Sequence, residues 1–141
     1  MSKSFHAAWI YATLGLLAGL FYREYTRGKD FEGTTQLSVT HTHLLALGML
    51  VFLVVLALAA VLPIGELRLF MLFFWFYNLG LVITVTMMFV RGIIQVNGDD
   101  RDLPAVAGIA GLGHILITVG LVHLFLALKK GLEARQQVAT T

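Results

Sequence analysis

Four long apolar runs, each parted from the next by a short polar break, constrain this chain more than any other feature. From Leu37 to Leu62 it carries no Asp, Glu, Lys or Arg. About 20 apolar residues cross a bilayer as a helix. Four segments reach that length: residues 5–25, 37–62, 67–96 and 104–128. In hydrocarbon every backbone polar group must be satisfied inside its own segment, so each run is predicted to be helical. Pro63 stops the second, Asn97-Gly98-Asp99-Asp100 reads as a turn, and Pro104 suits the first turn of the fourth. Loops this short place consecutive helices antiparallel and adjacent. The fold class is therefore all-α: a single domain over residues 1–141, built as a four-transmembrane-helix antiparallel bundle. The polar tail after Lys130 is expected to fray.

The composition agrees. Hydrophobic residues make up 58% and charged residues 13%, where soluble domains carry about 25% charged. Mean hydropathy is +0.84. A net charge of +2 gives no basic patch, so nucleic acid is not a partner. The absence of cysteine excludes disulfides, iron–sulfur clusters and thiolate chemistry. No small-residue cleavage site separates the first apolar run from Arg23-Glu24, so it reads as a retained span rather than a signal peptide. The chain is expected to lie multi-pass in the inner (plasma) membrane. Lys3, Arg68, Lys129, Lys130 and Arg135 on one side balance Arg23, Arg27, Lys29, Arg91 and Arg101 on the other. The orientation adopted puts both termini in the cytoplasm.

Ionisable groups inside a span are costly and usually hold something or move protons. His41 and His43 sit about 6–10 Å below the start of the second helix. Positions i and i+2 point to nearly opposite sides, so these two imidazoles serve different neighbours. Arg91 lies roughly 8 Å from the same membrane surface, and His114 about 15 Å from it. Arg23, Glu24, Tyr22 and Tyr25 close the first helix there too. The opposite half has only His6, His123 and Asn78.

Such a cluster fits a b-type haem. A porphyrin needs a tall apolar slot, axial imidazoles and cations near its propionates. His41, His43 and His114 are the candidate iron ligands, with Arg91 and Arg23 as candidate propionate partners. A compact zinc or copper site on the histidines and Glu24 is the rival, and a proton path through Glu24 and the histidines is another. His6 and His123 read as hydrogen-bonded packing residues. Snorkelling to headgroups accounts for Arg91 and Arg23 about as well as propionate binding does. Met49, Met71, Met87 and Met88 read as core filler. Phe73-Phe74-Trp75-Phe76-Tyr77, aromatic all round, suits a lipid-facing or interfacial stretch. Gly15/Gly19 and the Gly108, Gly111, Gly113 run allow close helix approach; in the second case, room for a flat cofactor is the sharper reading.

Together, Tyr22-Arg23-Glu24, Val39-Thr40-His41-Thr42-His43-Leu44 with Leu47-Gly48-Met49, Tyr77-Asn78-Leu79-Gly80, Val90-Arg91-Gly92-Ile93 and Gly108 through His114 resemble a family of short bacterial four-span membrane proteins, a domain of unknown function. The resemblance covers nearly the whole chain and implies no activity. Thr40-His41-Thr42-His43 with Leu-Leu-Ala-Leu-Gly-Met is also similar to one helix of the haem–copper oxidase catalytic subunit. There an H-x-H pair ligates two haems, one on each side of the helix. That resemblance implies His41 and His43 as axial ligands. The oxidase's copper histidines and cross-linked tyrosine have no counterpart here.

The function expected is therefore an integral membrane haem b protein. It would work in electron transfer if two histidines fill both axial positions, or in handling a small gas such as O2 or NO if one position stays open. A cofactor-free membrane subunit or a proton- or ion-conducting protein is the alternative. The sequence singles out no catalytic residue and no redox partner. Because His41 and His43 diverge, one of them looks out of the protomer and would be unsatisfied in lipid. A homo-oligomer with haem at each subunit boundary resolves this. The oxidase resemblance, with its arcs of four helices, implies a trimer; a dimer is the second choice, and the Gly15/Gly19 surface is the expected contact.

Overall fold

A computed structural model describes residues 2–98 and 103–139. Four helices account for nearly all of them: α1 (Ser2–Gly28), α2 (Leu37–Val61), α3 (Arg68–Val96) and α4 (Pro104–Ala139). All four are long and apolar enough to cross a membrane. The Asp99–Asp102 part of the last turn, with Arg101, lies outside the described residues.

The helix ends follow local chemistry. Leu62 is extended (φ −122°, ψ 138°), as a residue before proline must be. Gly98 takes φ 84° just past α3, where a left-handed residue closes the last turn. At the end of α1, Asp30 rather than Gly28 adopts the left-handed conformation, at φ 47°. The Phe31 amide donates to Thr26 O (3.0 Å) and the Asp30 amide to Arg27 O (3.2 Å), the paired bonds of a Schellman cap. α4 does not fray at Lys130 but stays helical to Ala139. The segment from Leu132 to Gln137 is made of strong helix formers, and Lys129 and Glu133 stand 4.0 Å apart one turn away from each other.

Contacts set the topology. Gly15 meets Leu45 and Gly19 meets His41, so α1 and α2 run antiparallel. Tyr77 reaches Leu47, and Phe73 packs on Phe52, so α2 and α3 do too. Tyr77 lies against Gly120, and Gly80 against Gly113 and Ile117, which sets α4 antiparallel to α3. A Cβ at Gly80 would lie 2.6 Å from Gly113 O and 2.7 Å from the Ile117 amide nitrogen, so that seam needs glycine. In lipid, helices gain little from the hydrophobic effect and associate through such close packing and through hydrogen bonds.

The core lies among α1, α2 and α3, with α4 added on the far side of α3. Phe52, Phe73, Tyr77 and Tyr11 form its aromatic centre, with ring centroids 5.4–5.9 Å apart. This corrects the lipid-facing reading of residues 73–77. Phe73 and Tyr77, one turn apart, face inward, and only Trp75 is strongly exposed. Gly15 and Gly19, expected as a subunit contact, pack within the protomer in the α1–α2 seam. A Cβ at Gly15 would come within 2.7 Å of Leu45.

Candidate functional site

The H-x-H turn leads directly into a π-helical segment, Leu44–Leu50, inside α2. Wide turns of this kind loosen the carbonyl ladder and recur at functional sites. Here the Tyr77 hydroxyl donates to Leu47 O at 2.9 Å, so α3 engages a carbonyl inside the wide turn. The other end of α2 is tied to the end of α3. Thr35 Oγ1 donates to Gly92 O, and the Gln36 amide donates to Gln95 Oε1, both at 2.9 Å. Between these anchors the two histidines are fixed in direction.

They diverge, as the two-residue spacing requires. His41 turns toward α1; a Cβ on Gly19 would sit 3.6 Å from its ring. His43 turns the other way, into a groove of about 350 Å³ between α2, α3 and α4. His114 of α4 and Arg91 of α3 line that same groove, with Thr84, Met87, Met88 and Ala110 among its other walls. Residues 43, 91 and 114, far apart in sequence, thus meet in one hollow.

The ring nitrogens have defined roles. His43 Nδ1 donates to Val39 O and His114 Nδ1 to Ala110 O, each at 2.9 Å. Each bond makes Nδ1 the protonated nitrogen and leaves Nε2 with its lone pair, the form in which imidazole ligates a metal. His6 and His123 make the same bond, to Ser2 O and Val119 O, both at 2.7 Å. The tether alone therefore does not mark a site; sharing a groove does. His123 stacks on Phe76 (5.8 Å, 17°), in keeping with a packing role. His41 differs from the other four: its Nδ1 is buried without a hydrogen-bond partner, and Nε2 is 3.4 Å from Thr42 Oγ1.

The structure does not bring every expected residue together. Arg23 is absent from the groove. Its side chain is 73% exposed and pairs with Glu24 at 3.6 Å, a contact worth about 0–1 kcal/mol. Among the described residues no three His, Asp or Glu side chains converge to hold a bare metal ion, so His41, His43 and His114 do not form one compact site. Of the glycines before His114, Gly113 packs against Thr84, whereas Gly108 and Gly111 meet nothing within 4 Å.

One groove residue had no signal in the sequence. Thr84 is fully buried, and its hydroxyl has no partner. A buried hydroxyl left unpaired is costly, and threonine in an apolar helix ordinarily bonds its own backbone. Thr13, Thr40 and Thr118 do so.

The chain belongs to the family described as protein of unknown function DUF2871, whose model matches residues 1–131. No curated protein and no solved structure matches it.

Proposed function

We propose that this member of the DUF2871 family is an integral membrane protein that binds b-type haem in the groove between α2, α3 and α4 and carries electrons within the membrane. One observation carries the reading. His43 and His114, on helices separated by a third, line one groove with Nδ1 engaged and Nε2 available. The residues suit the group. The groove, at about 350 Å³, lies within the 300–1,000 Å³ usual for cofactor sites. Methionine and alanine give it polarizable and flat walls, and Arg91 supplies a cation toward the membrane surface. Thr84 offers a hydroxyl that nothing among the described residues satisfies.

In this reading His43 and His114 hold the iron from two helices, and Arg91 offsets propionate charge. His41, on the far side of α2, serves something other than this groove. Bound haem would supply a one-electron couple. With both axial positions filled by imidazole it would favour electron transfer over gas binding. The chain's own part is to fix both imidazoles through backbone carbonyls and to keep water from the slot.

The test is haemin titration of the apoprotein, read by the Soret band. His43→Ala and His114→Ala should each weaken binding tenfold or more, or about 1.4 kcal/mol. His6→Ala and His123→Ala should behave as the parent. Parental affinity and spectra in both groove variants would refute the assignment.

A further inference from the structure

A second cleft lies in the opposite half of the membrane, between α1 and α3, with a volume of about 480 Å³. Its mouth carries Lys3 and His6, and farther in it carries Tyr11 and Asn78, with apolar Leu14 and Val82 one turn beyond them. Asn78 is ten residues into α3 and Tyr11 six past the start of the first apolar span at Phe5, so they lie about 9–15 Å deep, inside a bilayer core about 30 Å thick. Polar groups at that depth are expensive and mark ligand or ion paths.

These two residues are not satisfied by each other. The Tyr11 hydroxyl donates to Asn78 Oδ1 at 2.7 Å, and Asn78 Nδ2 donates to Phe74 O at 2.6 Å. A carboxamide has two N–H donors and a phenol oxygen accepts as well as donates. One Asn78 N–H and the acceptor side of Tyr11 therefore remain open in the cleft. At the mouth, His6 Nδ1 is bonded to Ser2 O, which leaves Nε2 for a ligand. His6 and Tyr11 are separated by about 7.5 Å along α1. Between them the walls are apolar or aromatic, including Ile10, Phe74 and Trp75, the last 64% exposed.

A flat ring with an oxygen at each end and an apolar tail matches this layout: polar contacts at both ends, aromatic walls between, and an opening toward lipid. We propose that the α1–α3 cleft binds the head group of a lipid-soluble quinol, whose two hydroxyls supply the donors that Tyr11 and His6 lack. The free Asn78 N–H donates to the inner hydroxyl oxygen, whose own O–H donates to the Tyr11 oxygen, and the outer hydroxyl donates to His6 Nε2. A phospholipid fits less well, because its charged head would stay at Lys3 and leave the inner donor unpaired.

The site is tested without haem, so its failure and that of the haem reading are separable. In Trp9→Phe protein, Trp75 is the one remaining tryptophan, and quenching by decylubiquinol, kept reduced under anaerobic conditions, reads occupancy of the cleft. Saturable quenching is expected, with Kd raised about five- to tenfold in Tyr11→Phe and Asn78→Leu, the scale of one hydrogen bond. His6→Gln, at the exposed mouth, should raise Kd severalfold without touching the core. Non-saturable quenching, or equal Kd in all three variants, would overturn the proposal as simple partition into the micelle. So would displacement by phosphatidylglycerol at concentrations where phosphatidylcholine has no effect.

Discussion

Adding one methyl group at four glycines should separate the α3–α4 seam from the open face of α4. At Gly80 a Cβ would meet Gly113 O at 2.6 Å and the Ile117 amide nitrogen at 2.7 Å. At Gly113 it would meet Gly80 O at 2.9 Å and the Thr84 amide nitrogen at 3.0 Å. These obstacles are backbone and cannot rotate aside, so α3 and α4 must part. Overpacking of this kind costs about 1–3 kcal/mol. At Gly108 and Gly111 the new methyl meets nothing, and alanine is favoured over glycine in a helix by up to about 1 kcal/mol. The assay is reversible unfolding in mixed micelles followed by circular dichroism. Gly80→Ala and Gly113→Ala should lose stability, while Gly108→Ala and Gly111→Ala should hold or gain it. Because Thr84, Ala110 and His114 flank the seam, haem affinity should fall with the first pair only. Equal stability in all four variants would refute the close approach of α3 and α4.

Tyr77→Phe keeps the ring in the aromatic core and removes the bond to Leu47 O; a loss of about 0.5–1.5 kcal/mol is expected in the same unfolding assay. Arg91→Leu should lower haem retention, whereas Arg23→Gln, on an exposed ion pair, should leave both stability and haem content within error. Native mass spectrometry in mild detergent is expected to show a homo-oligomer, the trimer first, in which a neighbour covers α4, whose most apolar stretch is only 11% buried within the protomer against 22–33% in the other spans. A monomer that keeps its haem would overturn the trimer and leave the His43–His114 site standing.

Much of the fold was legible because bilayer thickness sets helix length and because proline and glycine mark the breaks. Counting residues from one membrane surface put His43 and Arg91 within about 10 Å of it and His114 about 15 Å from it, in the same leaflet, and the three line one groove. What depth does not specify is rotation about each helix axis. Arg23 lies near the right surface on the wrong face. The small residues Gly15 and Gly19 signalled close packing without naming the partner, which is α2 of the same chain. The run from Phe73 to Tyr77 looked uniform because aromatic residues occupy every position; only the one-turn spacing of Phe73 and Tyr77 told which face is core. Nothing in Thr84 distinguished it from threonines that bond their own helix. The π-helical turn after His43 had no sequence marker either, since Leu44–Leu50 are ordinary helix formers apart from Gly48.

The central claim is that two histidines from one chain meet on one iron. Electron paramagnetic resonance of the haemin-loaded ferric protein addresses it directly. A low-spin signal of bis-imidazole type is expected in the parent and in His41→Ala, turning high-spin or disappearing in His43→Ala and in His114→Ala. A high-spin parent, or a low-spin signal that survives loss of either groove histidine, would contradict the account.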